Sequence, residues 1–177
     1  MHKTRLAKLN DIDNITELIV LSARKLGGEY YDKSTIGHAL KGAFGVDTQL
    51  IKDNTYYVIQ QNEQIIACGG WSYRKTLFGS DTNNIRNPEK LDVKIDAAKI
   101  RAFFIHPNFA RQGLGKIILD KCESKAKQYG FTQIQLMSTL SGIKFYKKSG
   151  YVGQDFIFHS MYNNNTIKFL PMQKRLD

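Results

Sequence analysis

Between Ala97 and Met137 the sequence reads strand, glycine turn, helix, strand, and that order restricts the fold more than any other stretch. The first run, Ala97 to His106, carries Ala102, Phe104 and the β-branched Ile105 and is closed by Pro107, which cannot donate to a ladder. After Arg111-Gln112-Gly113-Leu114-Gly115-Lys116, residues Ile118, Cys122, Ala126 and Tyr129 recur at helical steps and mark one buried face, with Gly130 as a left-handed stop. Thr132 to Met137 then alternates, Ile134 and Leu136 against Gln133 and Gln135. A crossover of this length joins parallel strands, so the two runs, fourth and fifth in the chain, are predicted to run side by side in one direction.

The turn itself has the chemistry of an anion site. Glycines at 113 and 115 allow close backbone approach, and the helix that follows offers its first unpaired N–H groups and its positive dipole end. With Arg111 and Lys116 flanking it, the expected guest is a pyrophosphate held by residues Arg111, Gln112, Gly113, Leu114, Gly115 and Lys116. A plain strand-to-helix connection would use the same glycines, and spacing alone does not separate the two readings. Two other phosphate loops do not fit: Ala110 and Ile117 stand where a Walker loop needs glycine and a hydroxyl, and Ile118 stands where a dinucleotide fingerprint needs its third glycine.

The stretch FFIHPNFARQGLGK resembles the acetyl-CoA pyrophosphate loop of the GNAT superfamily of N-acetyltransferases, and GIKFYKKSGY at 142–151 resembles that family's later helix. The loop departs at its first Arg/Gln position, which falls on Ala110, with Arg111 and Gln112 next. The order of elements matches over most of the chain. The resemblance implies a single-domain α/β fold over 1–177: a mixed, mostly antiparallel sheet, parallel fourth and fifth strands splayed at the cofactor site, and helices on both faces. It implies acetyl transfer from acetyl-CoA to an amine by direct attack, without a metal. Matched by position, Phe103, Phe104 and Ile105 offer main-chain groups to the pantetheine and the thioester carbonyl, and Tyr146 falls on the general-acid tyrosine. Thr139 and Gly142 stand where many relatives carry asparagine and alanine, so the Thr139 hydroxyl is expected to take over part of a cofactor contact.

Composition agrees with one soluble domain: 177 residues, 42% hydrophobic and 24% charged. No segment reaches the length of a membrane span, and MHKTRLAKL is too polar for a signal peptide, so the cytoplasm is the expected location. The net charge of +10 favours anionic partners, coenzyme A among them. Lysines and arginines are scattered instead of clustered with aromatics, which weakens a nucleic-acid reading. Cys68 and Cys122 make neither a disulfide framework nor a metal set and read as core thiols, with an acetyl-cysteine route as the minority alternative.

Elsewhere, Lys3 to Leu9 reads as a strand, and Asn10 as the cap of a helix with Ile12, Ile15, Ile19 and Ala23 inward and Gly27-Gly28 as its stop. A weaker helical pattern runs from Glu29 to Phe44; the resemblance sets Glu29, Tyr30 and Tyr31 at the acceptor side, against a reading as ordinary aromatic packing. Runs at 55–60 and 64–73 form a hairpin about Gln61-Asn62-Glu63, and Gly69-Gly70 marks a bulge. The polar stretch 74–96, with Asn83-Asn84, is expected to be a mobile acceptor-side loop. Ser141 is expected to cap a helix over 142–149 with Gly150 as its stop, and 151–161 with 166–174 to form a closing hairpin about Asn163-Asn164-Asn165. No general base stands out: Glu29, His38 and His159 are candidates and His106 reads as a turn residue. An acyl-CoA-sensing module, a nucleotide-binding or phosphoryl-transfer protein and a basic nucleic-acid binder stay open as alternatives, as do the acceptor's identity and a homodimer.

Overall fold

The structure is a computed structural model that describes residues 2–82 and 86–176, with Tyr162 in its main chain only. In chain order the strands are β1 Lys3–Leu6, β2 Tyr56–Gln61, β3 Gln64–Ser72, β4 Ala98–Ile105, β5 Gln133–Thr139, β6 Ile157–Ser160 and β7 Thr166–Arg175. The α-helices are α1 Ile12–Lys25, α2 Lys33–Ala39, α3 Thr48–Lys52, α4 Leu114–Tyr129 and α5 Ile143–Lys148. The strands form one seven-stranded sheet in the order β1-β2-β3-β4-β5-β7-β6. All its pairs are antiparallel except β4 with β5, as the crossover requires.

Helices cover both faces. The inward side of α4, Ile118, Leu119, Cys122 and Ala126, packs with Ile66, Ile100 and Ile134 of the sheet. On the other face α1 buries Ile15, Leu18, Ile19 and Ala23 against Val58, Ile65 and Cys68. β3 lies under both layers, and so is buried from Ile65 to Ser72 instead of alternating. Asn62 and Glu63 make the β2–β3 turn alone, at φ 46° and 66°, the left-handed pair that matches strand twist; Gln61 belongs to β2.

Several boundaries differ from the sequence reading. β1 ends at Leu6 and a 3-10 turn over Leu9–Asp11 precedes α1, so Asp11, not Asn10, is the N-cap residue. The helix of the 29–44 pattern, expected to begin after Asp32 or Ser34, is α2: it starts after Asp32, whose side chain accepts from Thr35 N, and ends at Ala39, short of Phe44. α3, not foreseen, is five residues long, too short to print a periodicity. A 3-10 turn over Leu140–Gly142 precedes α5, and Ser141 makes no cap bond. The strand expected over 151–161 is β6 alone, with Val152 bridging Gln173. Tyr129, expected inside, is 48% exposed and stacks on the Tyr73 ring with centroids 4.9 Å apart.

The 74–96 stretch is tied down where it is described; Asn83 and Asn84 lie outside the described residues. Arg74 forks onto Asp53 at 2.6 and 2.8 Å, and Thr76 and Asn87 pair across the base of the excursion. At its far end Ser80 bonds Gly42 O, and the Arg86 guanidinium reaches Asp47 at 2.7 Å.

Candidate functional site

The site begins where two strands part. β4 and β5 share rungs only at Ala98 with Ile134 and Lys99 with Gln135, although β4 continues to Ile105 and β5 to Thr139. From there β4 stays with β3, while β5 stays with β7 as far as Thr139–Phe169. The parting coincides with a register shift between β3 and β4 at Cys68/Gly70. Opposite it Ala102 takes φ 54°, uncommon for a residue with a side chain, and its carbonyl accepts from the Tyr56 hydroxyl at 3.1 Å. Gly69 is required here: a Cβ would stand 2.6 Å from the Phe103 ring.

The gap opens into a cavity of about 1020 Å³. Phe103, Phe104 and Ile105 line it from β4, and Thr139 lines it from the end of β5. The glycine turn closes one end, with Arg111 at φ 65° and Gly113 at φ 82° swinging the chain into α4. Arg111, Gly113, Leu114, Gly115 and Lys116 all face the cavity; Gln112 does not, because its side chain turns back to donate to Asn108 O at 3.3 Å. Among the described residues the N–H groups of 113 to 116 bond no main-chain oxygen outside the helix, and as the first turn of a helix they have no partner within it. α5 packs close to Gly115, where a Cβ would sit 3.3 Å from the Phe145 ring. The Lys116 ammonium pairs with Asp120 one turn on.

Tyr146 stands on the α5 wall, 7% exposed, its ring set against Phe103 at 6.4 Å and Tyr151 at 5.6 Å. Burial pushes its phenol well above the ordinary tyrosine range, so the proton is held at neutral pH. No described residue hydrogen-bonds the Tyr146 hydroxyl. Tyr31 differs in this respect: it lines the cavity, but its hydroxyl donates to Lys168 O at 2.7 Å and accepts from Leu140 N at 2.8 Å. That phenol, pushed up to about 12 chiefly by burial, holds the start of α2 against β7. Glu29 and Tyr30 line the same end and are exposed.

Among the base candidates, His38 and His159 do not line the cavity; His38 Nδ1 lies 2.8 Å from Ser34 O, and His159 packs edge-on to Phe78 at 4.6 Å. His106 Nδ1 accepts from Asn108 N at 3.2 Å, a turn-capping role. Both thiols are buried, which pushes Cys68 up to about 12 and Cys122 well above its ordinary value, and neither faces the cavity. Among the described residues no group of three or more His, Cys, Asp or Glu could hold a metal ion, and no helix is long and apolar enough to cross a membrane.

The sequence reading missed residues that the fold brings in. Lys144, Lys147 and Lys148 of α5 add positive charge to the cavity lining, and KFYKK was the signal for them. Arg101 also lines the cavity, buried on β4, with Nη1 at 2.7 Å from the fully buried Asp47 Oδ2 and Nη2 donating to Gly79 O at 2.8 Å. The first of these contacts is an ion pair by distance, without hydrogen-bond alignment. Burial draws the Arg101 pKa down and Asp47 draws it back up. Phe78 and Gly79 reach the same wall from the 74–96 excursion.

Residues 90–176 match the family model described as the acetyltransferase (GNAT) domain. Among solved structures the chain is similar to the PaiA N-acetyltransferase from Thermoplasma acidophilum in complex with coenzyme A, at 13% identity and a TM-score of 0.68, with 99% of each chain covered. It is also similar to the GCN5-related N-acetyltransferase from Rhodopseudomonas palustris, at 15% identity and a TM-score of 0.69, over 98% of this chain and 95% of that one. A GNAT-family acetyltransferase from Staphylococcus aureus Mu50 aligns over 100% of both chains at 14% identity and a TM-score of 0.61. At these identities the likeness is one of fold. No curated protein sequence matches the chain.

Proposed function

We propose that the chain, whose residues 90–176 match the acetyltransferase (GNAT) domain and whose whole length takes the fold of such enzymes, moves an acetyl group from acetyl-CoA to a primary amine by direct attack in a ternary complex. The observation that carries the reading is the β4–β5 gap: it has amides at one end and a phenol on its wall that no other described residue engages.

The diphosphate of the coenzyme would sit on the N–H groups of residues 113 to 116 and the positive end of α4, with Arg111 and Lys116 adding charge. The pantetheine arm would then lie along the edge of β4 at Phe103, Phe104 and Ile105, where the ladder to β5 is absent. A main-chain N–H there polarises the thioester carbonyl. The neutral amine attacks the carbonyl carbon, the C–S bond breaks, and the departing thiolate takes the Tyr146 proton while the amine nitrogen gives one up to water. Burial of both thiols away from the cavity supports this route over one through an acetyl-cysteine.

Incubation of the purified chain with acetyl-CoA and a panel of primary amines tests the reading by release of free thiol. Release that depends on an amine is expected. Release indifferent to every amine, or none at all, contradicts it.

A further inference from the structure

The geometry points to an acceptor that is a monoamine on a flat apolar body, an arylalkylamine being the simplest, and not a polycation such as a polyamine or an aminoglycoside. This inference rests on the acetyltransferase reading and adds the substrate class. Along β4 successive side chains face opposite ways: Phe103 packs on Tyr146, and Phe104 turns to the α1–α2 face, where it meets Phe44 edge-on at 5.9 Å. Phe44 and Phe78 both contact the Phe169 ring, at 6.4 and 5.5 Å. Phe44, Phe78, Phe104 and Phe169 come from four separate parts of the chain, and all line the cavity within the core cluster of the α1–α2 face, opposite the face α4 covers.

The charges on the lining agree. Glu29 is the single carboxylate among the described lining residues, and it sits exposed at the solvent edge, where it can draw in one ammonium. Asp47 is fully buried and already engaged by Arg101 and Arg86, so it offers nothing to a ligand. A polyamine would bring further ammonium groups toward the Arg101 charge with no second carboxylate in the described lining to pair them. An aryl group entering the same space would instead meet ring edges and faces.

The test compares initial rates of thiol release for 2-phenylethylamine and spermidine at saturating acetyl-CoA, with acetyl-CoA binding measured by calorimetry on the same preparation. A kcat/KM roughly tenfold or more higher for 2-phenylethylamine is expected. Phe78→Ala is expected to raise KM for 2-phenylethylamine by about tenfold while leaving the acetyl-CoA Kd unchanged, which also reports that the variant is folded. Spermidine turned over equally well or better, or no turnover of 2-phenylethylamine by a protein that binds acetyl-CoA, overturns the acceptor assignment alone. Failure to bind acetyl-CoA overturns it together with the reading it rests on.

Discussion

Tyr146→Phe is expected to lower amine acetylation by roughly tenfold or more, the range in which a positioned general acid acts, and to leave acetyl-CoA affinity unchanged. The substitution removes one oxygen from a ring already fixed by Phe103, Phe145 and Tyr151, so packing is preserved and the lost proton is the variable. The contrast with Tyr31 sharpens the expectation. The Tyr31 hydroxyl is committed to Lys168 and Leu140, so its loss would be felt in stability before chemistry. Single-turnover rates and calorimetric Kd values on the Tyr146→Phe protein separate the two effects. Unchanged turnover would remove Tyr146 from the reaction.

Asp47→Ala is expected to destabilise the fold by about 3–5 kcal/mol, the cost of leaving a buried charge without its partner. Asp47 is fully buried at the N-cap of α3, its Oδ1 taking Arg86 Nη2 and Gln49 N while Oδ2 faces Arg101. Removing it strands the Arg101 guanidinium, whose side chain is 2% exposed, and unties the 74–96 excursion at Arg86. Urea denaturation is the measurement. The paired replacement Asp47→Leu with Arg101→Met should lose less than Asp47→Ala alone, because no unpaired buried charge is left. Equal losses would mean that the acid acts only as a helix cap.

The parts of the fold that could be read in the sequence are those with local signals. The α1 and α4 stripes, the β2–β3 hairpin, and the strand-turn-helix-strand order that forces β4 parallel to β5 each follow from spacing within a few residues. The parting of β4 from β5 has no such local signal and is expected from the family resemblance alone. It turns on Ala102 in a left-handed conformation held by a tyrosine hydroxyl from β2, and nothing in the residues around 102 announces it. Tyr129 differs for a related reason: its helical spacing points inward, but its ring meets Trp71 of β3 and stacks on Tyr73 just beyond that strand.

The site divides the same way. The amides of the glycine turn are a property of six consecutive residues and were legible; the turning of Gln112 back to Asn108 was not. The wall proposed for the acceptor is assembled from Phe44, Phe78, Phe104 and Phe169, and its base from Asp47, Arg86 and Arg101, groups far apart in sequence that only the closed sheet brings together. Residues 74–96 looked like a mobile loop because they lack periodicity. What orders their described part is a set of ion pairs and main-chain bonds to Asp53, Asp47 and Gly42, none of which leaves a pattern in the stretch itself.

Everything proposed for the chemistry depends on a diphosphate resting against the first turn of α4. Calorimetric titration of the unmodified chain with acetyl-CoA tests that directly, with acetyl-pantetheine, which lacks the diphosphate, as the control. Saturable binding with a Kd on the order of micromolar, lost or weakened by roughly a hundredfold or more for acetyl-pantetheine, is the expected result. Equal affinity for the two ligands, or no binding of acetyl-CoA at millimolar concentration, would contradict the account.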